Sequence, residues 1–446
     1  MMVEKFLTLI VLLLFSQLTG AQQFPDKSWF KYQNIEEAGF SLEKLEDAKQ
    51  FFNSINGGAA LVVYKGAVVV DWGENTRRFM VASLRKSLLN ALIGKAVEEN
   101  KLNLNASLRE LGIDDITSLT ENEKSAKVKD LLSSQSGIYL PSAFEDKNWK
   151  ERKPVRGSHA PGTFWYYNNW DFNVLGAIYE KATGKKIFEA FEEEIANVIG
   201  MEDYRLSDGV YLYETETNYP AYLFKMSSRD LARFGLLYLN HGIWNSKSIV
   251  PKQWISLSVQ PHAKLENGSY GYLWWINSIA NHTVYTAKGS GLQALYVIPE
   301  FDMLIVLRAN NYTGTSISDS EGETFVKKIF ESHIGIESSL PSLEPIKWFE
   351  NVKPVLSEKF SIDESFIGEY IHPQFGKFKI EFYESRLTLS TKPGRFKVFI
   401  NENNEYFIED LNVTAKFIKT NVENKKGKCE IIKNPEAKFP ELVFYY

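Results

Sequence analysis

FMVASLRKSLLNALIGKAV, residues 79–97, begins as extended chain and continues as helix. Phe79, Met80 and Val81 end a β-rich run, and from Leu84 to Val97 the segment is apolar on nearly every face. A helix apolar all round belongs inside a core. Ser83 stands at the change of structure, and Lys86 lies one turn further along. The stretch therefore predicts a strand feeding a buried helix, with a hydroxyl and an amine at the junction.

Working outward, residues 41–52 read as an amphipathic helix capped by Ser41, with Leu42, Leu45, Ala48 and Phe52 on one stripe. Ala59–Val63 and Ala67–Trp72 read as a hairpin turning at Lys65-Gly66. From about 100 to 260 the chain reads as mostly helical and polar-faced, broken by Gly and Pro at 137, 141, 154, 157, 161 and 162. The β pattern returns in Thr283–Thr286, Gln293–Ile298 and Met303–Arg308, and a helix follows from about Glu321 to His333. Strands at both ends with helices between them predict an α+β fold. It is an antiparallel sheet flanked by helices, closed by non-adjacent strands and carrying an inserted helical lobe.

The full chain has 446 residues, more than one core usually organises, so two domains are expected. Residues 22–337 form the first, and 338–354, with Pro341, Pro345 and Pro354, read as a linker. In 355–446 the period changes to two: Phe378, Ile380 and Phe382, then Phe396, Val398 and Ile400, then Val413, Ala415 and Phe417. That pattern predicts a small all-β accessory domain, a sheet or barrel with one wet face. Lys5, the apolar run Phe6–Phe15 and the small residues Thr19-Gly20-Ala21 read as a signal peptide over 1–21, too short to span a bilayer. The mature chain is expected to begin near Gln22, with no integral membrane segment, in the periplasm or the medium. Net charge is −5 with no basic stripe, which excludes a nucleic-acid partner. Cys429 is the only cysteine, so no intramolecular disulfide and no zinc site of several thiolates can form. The six histidines are scattered without metal-ligand spacing, so no metal is expected, and the reading as a whole implies no cofactor.

Acyl transfer to a serine needs an activated hydroxyl, a base and oxyanion donors. No Gly-x-Ser-x-Gly elbow occurs, which leaves Ser-x-x-Lys on a helix, where positions i and i+3 share a face. That motif occurs at Ser28/Lys31, Ser41/Lys44 and Ser83/Lys86. Ser28 lies in the N-terminal tail and Ser41 serves as a cap. Only Ser83 opens a buried helix, whose amides and dipole face whatever the serine attacks. Burial would lower the pKa of Lys86 and make it a base. The competing reading has Ser83 as an N-cap and Lys86 reaching the surface. A second constellation, Pro161-Gly162-Thr163-Phe164-Trp165-Tyr166-Tyr167-Asn168-Asn169, can present a phenol and an amide to a cleft. Its competing reading is an aromatic turn that packs the lobe. Trp165, Tyr166, Trp170, Trp274 and Trp275 could wall an apolar pocket or fill a core.

Together, Ser83-Leu84-Arg85-Lys86, Tyr167-Asn168-Asn169 and Lys288-Gly289-Ser290 resemble the three motifs of the serine β-lactamase and penicillin-binding superfamily. The likeness is closest to its class C-like branch of esterases, DD-peptidases, D-aminopeptidases and nylon-oligomer hydrolases, and it spans about 40–335. Asp130–Gly137, Ser227–Gly235 and Tyr270–Trp275 resemble the same family. The resemblance implies a serine hydrolase acting on a small-molecule or peptide-like ester or amide. It casts Ser83 as the acylated nucleophile and Lys86 as its proton-accepting partner. Tyr167 becomes the phenolic base that passes a proton to the leaving group, and Asn169 the amide that orients substrate. The oxyanion hole falls to the Ser83 and Ser290 N–H groups.

The third motif departs from the family's Lys-Thr-Gly. If Gly289 is the family glycine, Ala287 replaces the lysine and Lys288 the threonine. A one-residue register change moves a strand side chain to the other face, so Lys288 need not enter the cleft. That favours ester or amide hydrolysis over β-lactam turnover. A DD-peptidase or β-lactamase is the same-fold alternative. A catalytically inactive ligand-binding relative is the alternative from another class. Substrate and oligomeric state are not readable from these residues.

Overall fold

Alternating apolar side chains build a ten-stranded sheet that buries both faces. The computed structural model describes residues 24–25, 28–338, 341–349, 364–372, 376–391, 394–401, 405–419, 427–432 and 442–445. The expected signal peptide lies outside these. Across the sheet the strands run Ala263–Lys264, Ser269–Tyr270, Trp275–Ile279, His282–Gly289, Gln293–Ile298, Met303–Ala309, Gly57–Tyr64, Ala67–Gly73, Phe30–Tyr32 and Leu343–Pro345. The two halves of the sequence meet where Met303–Ala309 pairs antiparallel with Gly57–Tyr64, Val306 opposite Leu61. One contact is parallel, Lys31 with Val68. The period of two sends Ala60, Val62, Ala294, Tyr296, Ile305 and Leu307 to the face covered by helices Leu42–Ser54 and Asp319–Ser332. Leu61, Val63, Leu295, Val297, Leu304 and Val306 face the opposite way, toward helices Arg85–Glu98 and Ser228–Leu239.

The segment that decides the fold behaves as its composition requires. Phe79–Met80 is a short strand, Ala82–Leu84 a single 3-10 turn, and Arg85–Glu98 a helix with every residue from Arg85 to Gly94 buried. The lobe departs from a polar-faced helical region. A three-stranded sheet runs through it, with Ala221–Met226 between Phe79–Met80 and Gly209–Leu212. Its main helix, Asn169–Thr183, buries ten residues because it packs against both Arg85–Glu98 and Val128–Leu132. The run expected as a linker also carries structure: Leu343–Pro345 pairs with Phe30–Tyr32 as an edge strand, and Ile346 N–H donates to Trp29 O at 3.0 Å.

The C-terminal strands, from Gly368–His372 to Leu442–Tyr445, close into an eight-stranded antiparallel barrel through Ile371 opposite Tyr445. Side chains fill a barrel of this size. Tyr370, Ile380, Phe396, Val398, Ala415 and Cys429 are buried, and burial pushes the Cys429 thiol up. Phe382, expected inside, is 56% exposed because it sits at a strand end beyond the filled section.

Gly94 lets the buried helix approach Trp254, whose Nε1 donates to Asn90 O at 2.9 Å. A Cβ at position 94 would lie 2.2 Å from Trp254 Cδ1. Gly94→Ala should therefore lower stability by about 1–3 kcal/mol despite its better helix propensity. A urea-unfolding midpoint at or above wild type would refute this packing account.

Candidate active site

Ser83 occupies the turn between strand and helix, and the chain reaches it under local strain. Ala82 has φ +48°, the left-handed region that non-glycine residues avoid. The approach is held from both sides: Val81 N–H donates to Phe224 O at 3.0 Å and Asn311 Nδ2 to Met80 O at 2.8 Å. Lys86, three residues on, places Nζ 2.8 Å from Ser83 Oγ. The same nitrogen is 2.9 Å from Tyr167 Oη.

Tyr167 comes from the lip of the lobe. Ser134, itself at φ +58°, grips that lip: its Oγ donates to Tyr166 O at 2.6 Å and accepts from Asn168 N–H at 3.0 Å. Asn168 caps the helix Asn169–Thr183 through its side chain. The phenol is thus fixed by the start of a helix.

Lys86 is 2% exposed, and among the described residues its polar contacts are those two hydroxyls. The rings of Tyr167 and Phe172 lie 4.7 and 4.8 Å from Nζ. Burial, and secondly the positive charge of Arg85, hold the Lys86 ammonium well below the ordinary lysine range. Arg85 is buried too, donating to Asn173 Oδ1 at 2.9 Å and stacking 4.2 Å from the Tyr222 ring centroid. Burial pushes the Tyr167 phenol up, against smaller opposing effects from its bond to Ser83 and from Arg85. Burial thus favours the neutral amine and the protonated phenol.

The third motif closes the site from the sheet. Gly289 ends the strand His282–Gly289, and a Cβ there would lie 2.3 Å from Val81 O and 2.8 Å from Ser83 N. Only a glycine lets this backbone lie against the serine amide. Ser290 lines the cleft next to it. Ala287 points to the face that carries the Ser83 helix. Lys288 stands opposite Ala294, whose side chain faces the other way. At the strand end the Lys288 stem still reaches the cleft rim, with Nζ 2.6 Å from Asp319 Oδ2 and 4.6 Å from the Trp275 ring centroid. Asn169 lines the cleft but donates its Nδ2 to the carbonyl of Phe144, so its amide hydrogens are partly committed.

These groups face a cleft of about 1140 Å³, walled by Phe144, Trp149, Trp165, Tyr167 and Trp275. Of the aromatics singled out in the sequence, Trp165 and Trp275 line it. Trp170 and Trp274 are fully buried, and Tyr166 is buried with its hydroxyl donating to Trp149 O. Trp149 was not legible as a wall residue: it lies on a five-residue helix, Lys147–Glu151, with no motif around it. Asp319 was hidden as an ordinary first-turn acid of its helix. Among the described residues no cluster of three or more His, Cys, Asp or Glu could hold a metal ion, and no helix is long and apolar enough to cross a membrane.

A family model described as Beta-lactamase matches residues 42–321. The esterase EstB of Burkholderia gladioli is 35% identical over 81 residues, 18% of this chain and 20% of that protein. The D-aminopeptidase of Brucella anthropi is 26% identical over 196 residues, 36% of this chain and 35% of that protein. Among solved structures, a class C beta-lactamase aligns with a TM-score of 0.52 at 18% identity, covering 69% of this chain and 100% of that one. At this identity the structural likeness is one of fold.

The Gly289 contact can be tested directly. Gly289→Ala should slow labelling of Ser83 by a phosphonate probe by roughly 10²-fold or more, since small displacements of reacting groups carry costs of that order. Its urea-unfolding midpoint should fall as well, because the added Cβ meets backbone atoms that must move, so labelling is compared where both proteins are folded. Unchanged labelling would mean that the strand does not shape the serine's surroundings.

Proposed function

The chain belongs to the beta-lactamase family, and on that footing we propose that it is an exported serine hydrolase cleaving an ester or amide through an acyl-enzyme at Ser83. The observation that carries this reading is the placement of one buried amine between two hydroxyls, 2.8 Å from Ser83 Oγ and 2.9 Å from Tyr167 Oη. A lysine only 2% exposed, with no ion pair among the described residues, favours the neutral form, which has a lone pair to offer.

The steps follow from that arrangement. Lys86 takes the Ser83 proton as Oγ attacks the substrate carbonyl. The oxyanion lies against the N–H groups of Ser83 and Ser290, an assignment supported by the closeness of Gly289 to the serine amide. Tyr167, whose burial keeps its proton in place, protonates the leaving group and is recharged from Lys86. Water then attacks the acyl-enzyme by the reverse route and restores Ser83. Asn169 orients the substrate at the cleft wall. The aromatic walls suit an apolar acyl group. The lysine of the β-lactamase pattern has its place taken by apolar Ala287, which supports ester or amide substrates over β-lactams. Export rests on the leader-like residues 5–21.

Hydrolysis of a short p-nitrophenyl ester tests the assignment. Ser83→Ala should abolish turnover, and Tyr167→Phe should lower kcat by about 10²–10⁴-fold, the usual contribution of a positioned proton donor. Retained turnover in Ser83→Ala would overturn the nucleophile. The pH dependence has a fixed sign. Activity requires neutral Lys86, so kcat/KM should rise with pH along a limb well below the ordinary lysine value of 10.5. A limb at or above that value would rule out Lys86 as the base.

A further inference from the structure

The barrel lends no described residue to the cleft, yet it is joined to the strand that leads into Ser83. The joint is the turn Glu409–Asn412, with Asp410 at φ +65° and Asn412 at φ +53°. Asp410 Oδ2 accepts from Arg78 Nη2 at 2.8 Å and from Lys225 Nζ at 3.1 Å. The Asp410 carbonyl accepts from Arg77 Nε at 2.5 Å. Glu409 Oε2 accepts from Arg78 Nη2 at 3.0 Å and from Arg205 Nη1 at 2.9 Å. Asp208 of the hydrolase domain completes the set, 3.2 Å from Lys225 Nζ and 3.8 Å from Arg78 Nε. Arg78, Lys225, Asp208, Glu409 and Asp410 are all buried, and the partly exposed Arg205 brings the set to three cations against three anions.

What these cations belong to matters more than their number. Arg77 and Arg78 immediately precede Phe79–Met80, and Lys225 stands opposite Met80 on the partner strand. One barrel carboxylate thus binds both strands that carry the turn at Ser83. Apolar contacts follow the same route. Phe79 is fully buried in the cluster that includes the barrel interior, and Tyr312 lies 5.8 Å from Phe79 and 5.5 Å from Phe396 of the barrel. Tyr312 Oη donates to Arg78 O at 2.7 Å. The strained Ala82 is four residues beyond this clamp.

We propose that the C-terminal barrel is a brace for the nucleophile, with Asp410 the positioning residue that locks Arg77, Arg78 and Lys225 and so holds Phe79–Ser83 in its reactive path. The inference rests on Ser83 being the nucleophile. Removing the Asp410 carboxylate loosens Arg78 and Lys225, and so the strand pair, without touching a cleft residue, so the chemical step should suffer while substrate binding does not. A strand left to relax by about an ångström is enough to cost on the order of 10-fold to 10²-fold in rate.

The test uses the full chain and compares wild type, Ser83→Ala, Asp410→Ala, Asp410→Glu, Glu409→Gln and Cys429→Ala. The last removes a buried barrel side chain away from the joint, and so reports destabilisation of the barrel alone. Phosphonate labelling of Ser83 and p-nitrophenyl ester kinetics are measured well below each variant's Tm. Asp410→Ala is expected to lose about 10-fold or more in kcat and labelling rate with KM within about twofold. Glu409→Gln should lose less, Asp410→Glu should recover part of the loss, and Cys429→Ala should keep wild-type kcat with a lowered Tm. Wild-type kcat in Asp410→Ala overturns the brace. So does a fall in kcat for Cys429→Ala matching that of Asp410→Ala. If Asp410→Ala does not fold, wild-type kcat in Glu409→Gln overturns it instead. Failure of wild type to label at Ser83 refutes the hydrolase reading, a separate result.

Discussion

A lysine amine buried without an ion pair among the described residues is the constraint on which the rest of the site depends. An amine in that setting favours its neutral form, because burying an unpaired ammonium is expensive. The scaffold must therefore dry Lys86 from every side. The helix Arg85–Glu98 is buried around its whole circumference at this level, which explains why its sequence has no polar face. The lobe supplies Tyr167 and Phe172 as the wall over the amine. Arg85 adds to the effect in an unusual way: a second buried cation, held by Asn173 and the Tyr222 ring, opposes the charging of its neighbour. Without the sheet beneath and the lobe above, the same Ser-x-x-Lys would be a surface helix start like that at Ser41, whose hydroxyl merely accepts from Lys44 N–H.

Ser83 is positioned by contacts that leave no slack. The left-handed Ala82 stores strain of order 1–3 kcal/mol. Such a conformation persists only when its surroundings over-determine it. Here they do: Asn311 holds Met80 O, Phe224 holds Val81 N–H, and the Gly289 backbone lies against the serine amide. Arg308, fully buried, supports the same region by donating to Met226 O at 2.7 Å and to Gln293 Oε1 at 2.5 Å. Burial lowers the Arg308 guanidinium to about 9, yet its acceptors are uncharged, so it serves as a spacer rather than half of an ion pair.

How far the sequence could be read follows from the range of each interaction. The hairpin at Lys65-Gly66, the helix capped by Ser41 and the pairing of Ser83 with Lys86 depend on neighbours within a few residues, and all were legible. Sheet closure was legible as a class, because strands flanking a helical segment must meet somewhere. Tyr167 reaching Lys86 across 81 residues has no local signature and came only through the family resemblance. Ala221–Met226 was missed because a short apolar run carries no period that separates buried strand from buried helix. The edge strand Leu343–Pro345 was masked by its prolines, which an edge position tolerates. Nothing around Asp410 marks it as the partner of Arg78, 332 residues away.

Lys288 shows why register rather than motif decides electrostatics at the cleft. Its ion pair with Asp319 is short, but Asp319 is two-thirds exposed, and exposed pairs are worth only about 0.2–1 kcal/mol. That pair alone would not keep an anionic substrate from recruiting the ammonium. The decisive difference lies in where the side chain begins. A lysine at position 287 would leave the strand on the face of the Ser83 helix, whereas Lys288 leaves from the face of the helix Asp319–Ser332 and reaches the rim around the strand end. Its charge therefore arrives beside Trp275 at the cleft mouth, while Ala287 leaves that side of the strand apolar. A cation so placed attracts anions to the entrance without fixing a carboxylate beside Ser83. On the proposed reading, selectivity in this cleft then falls to the shape of its aromatic walls.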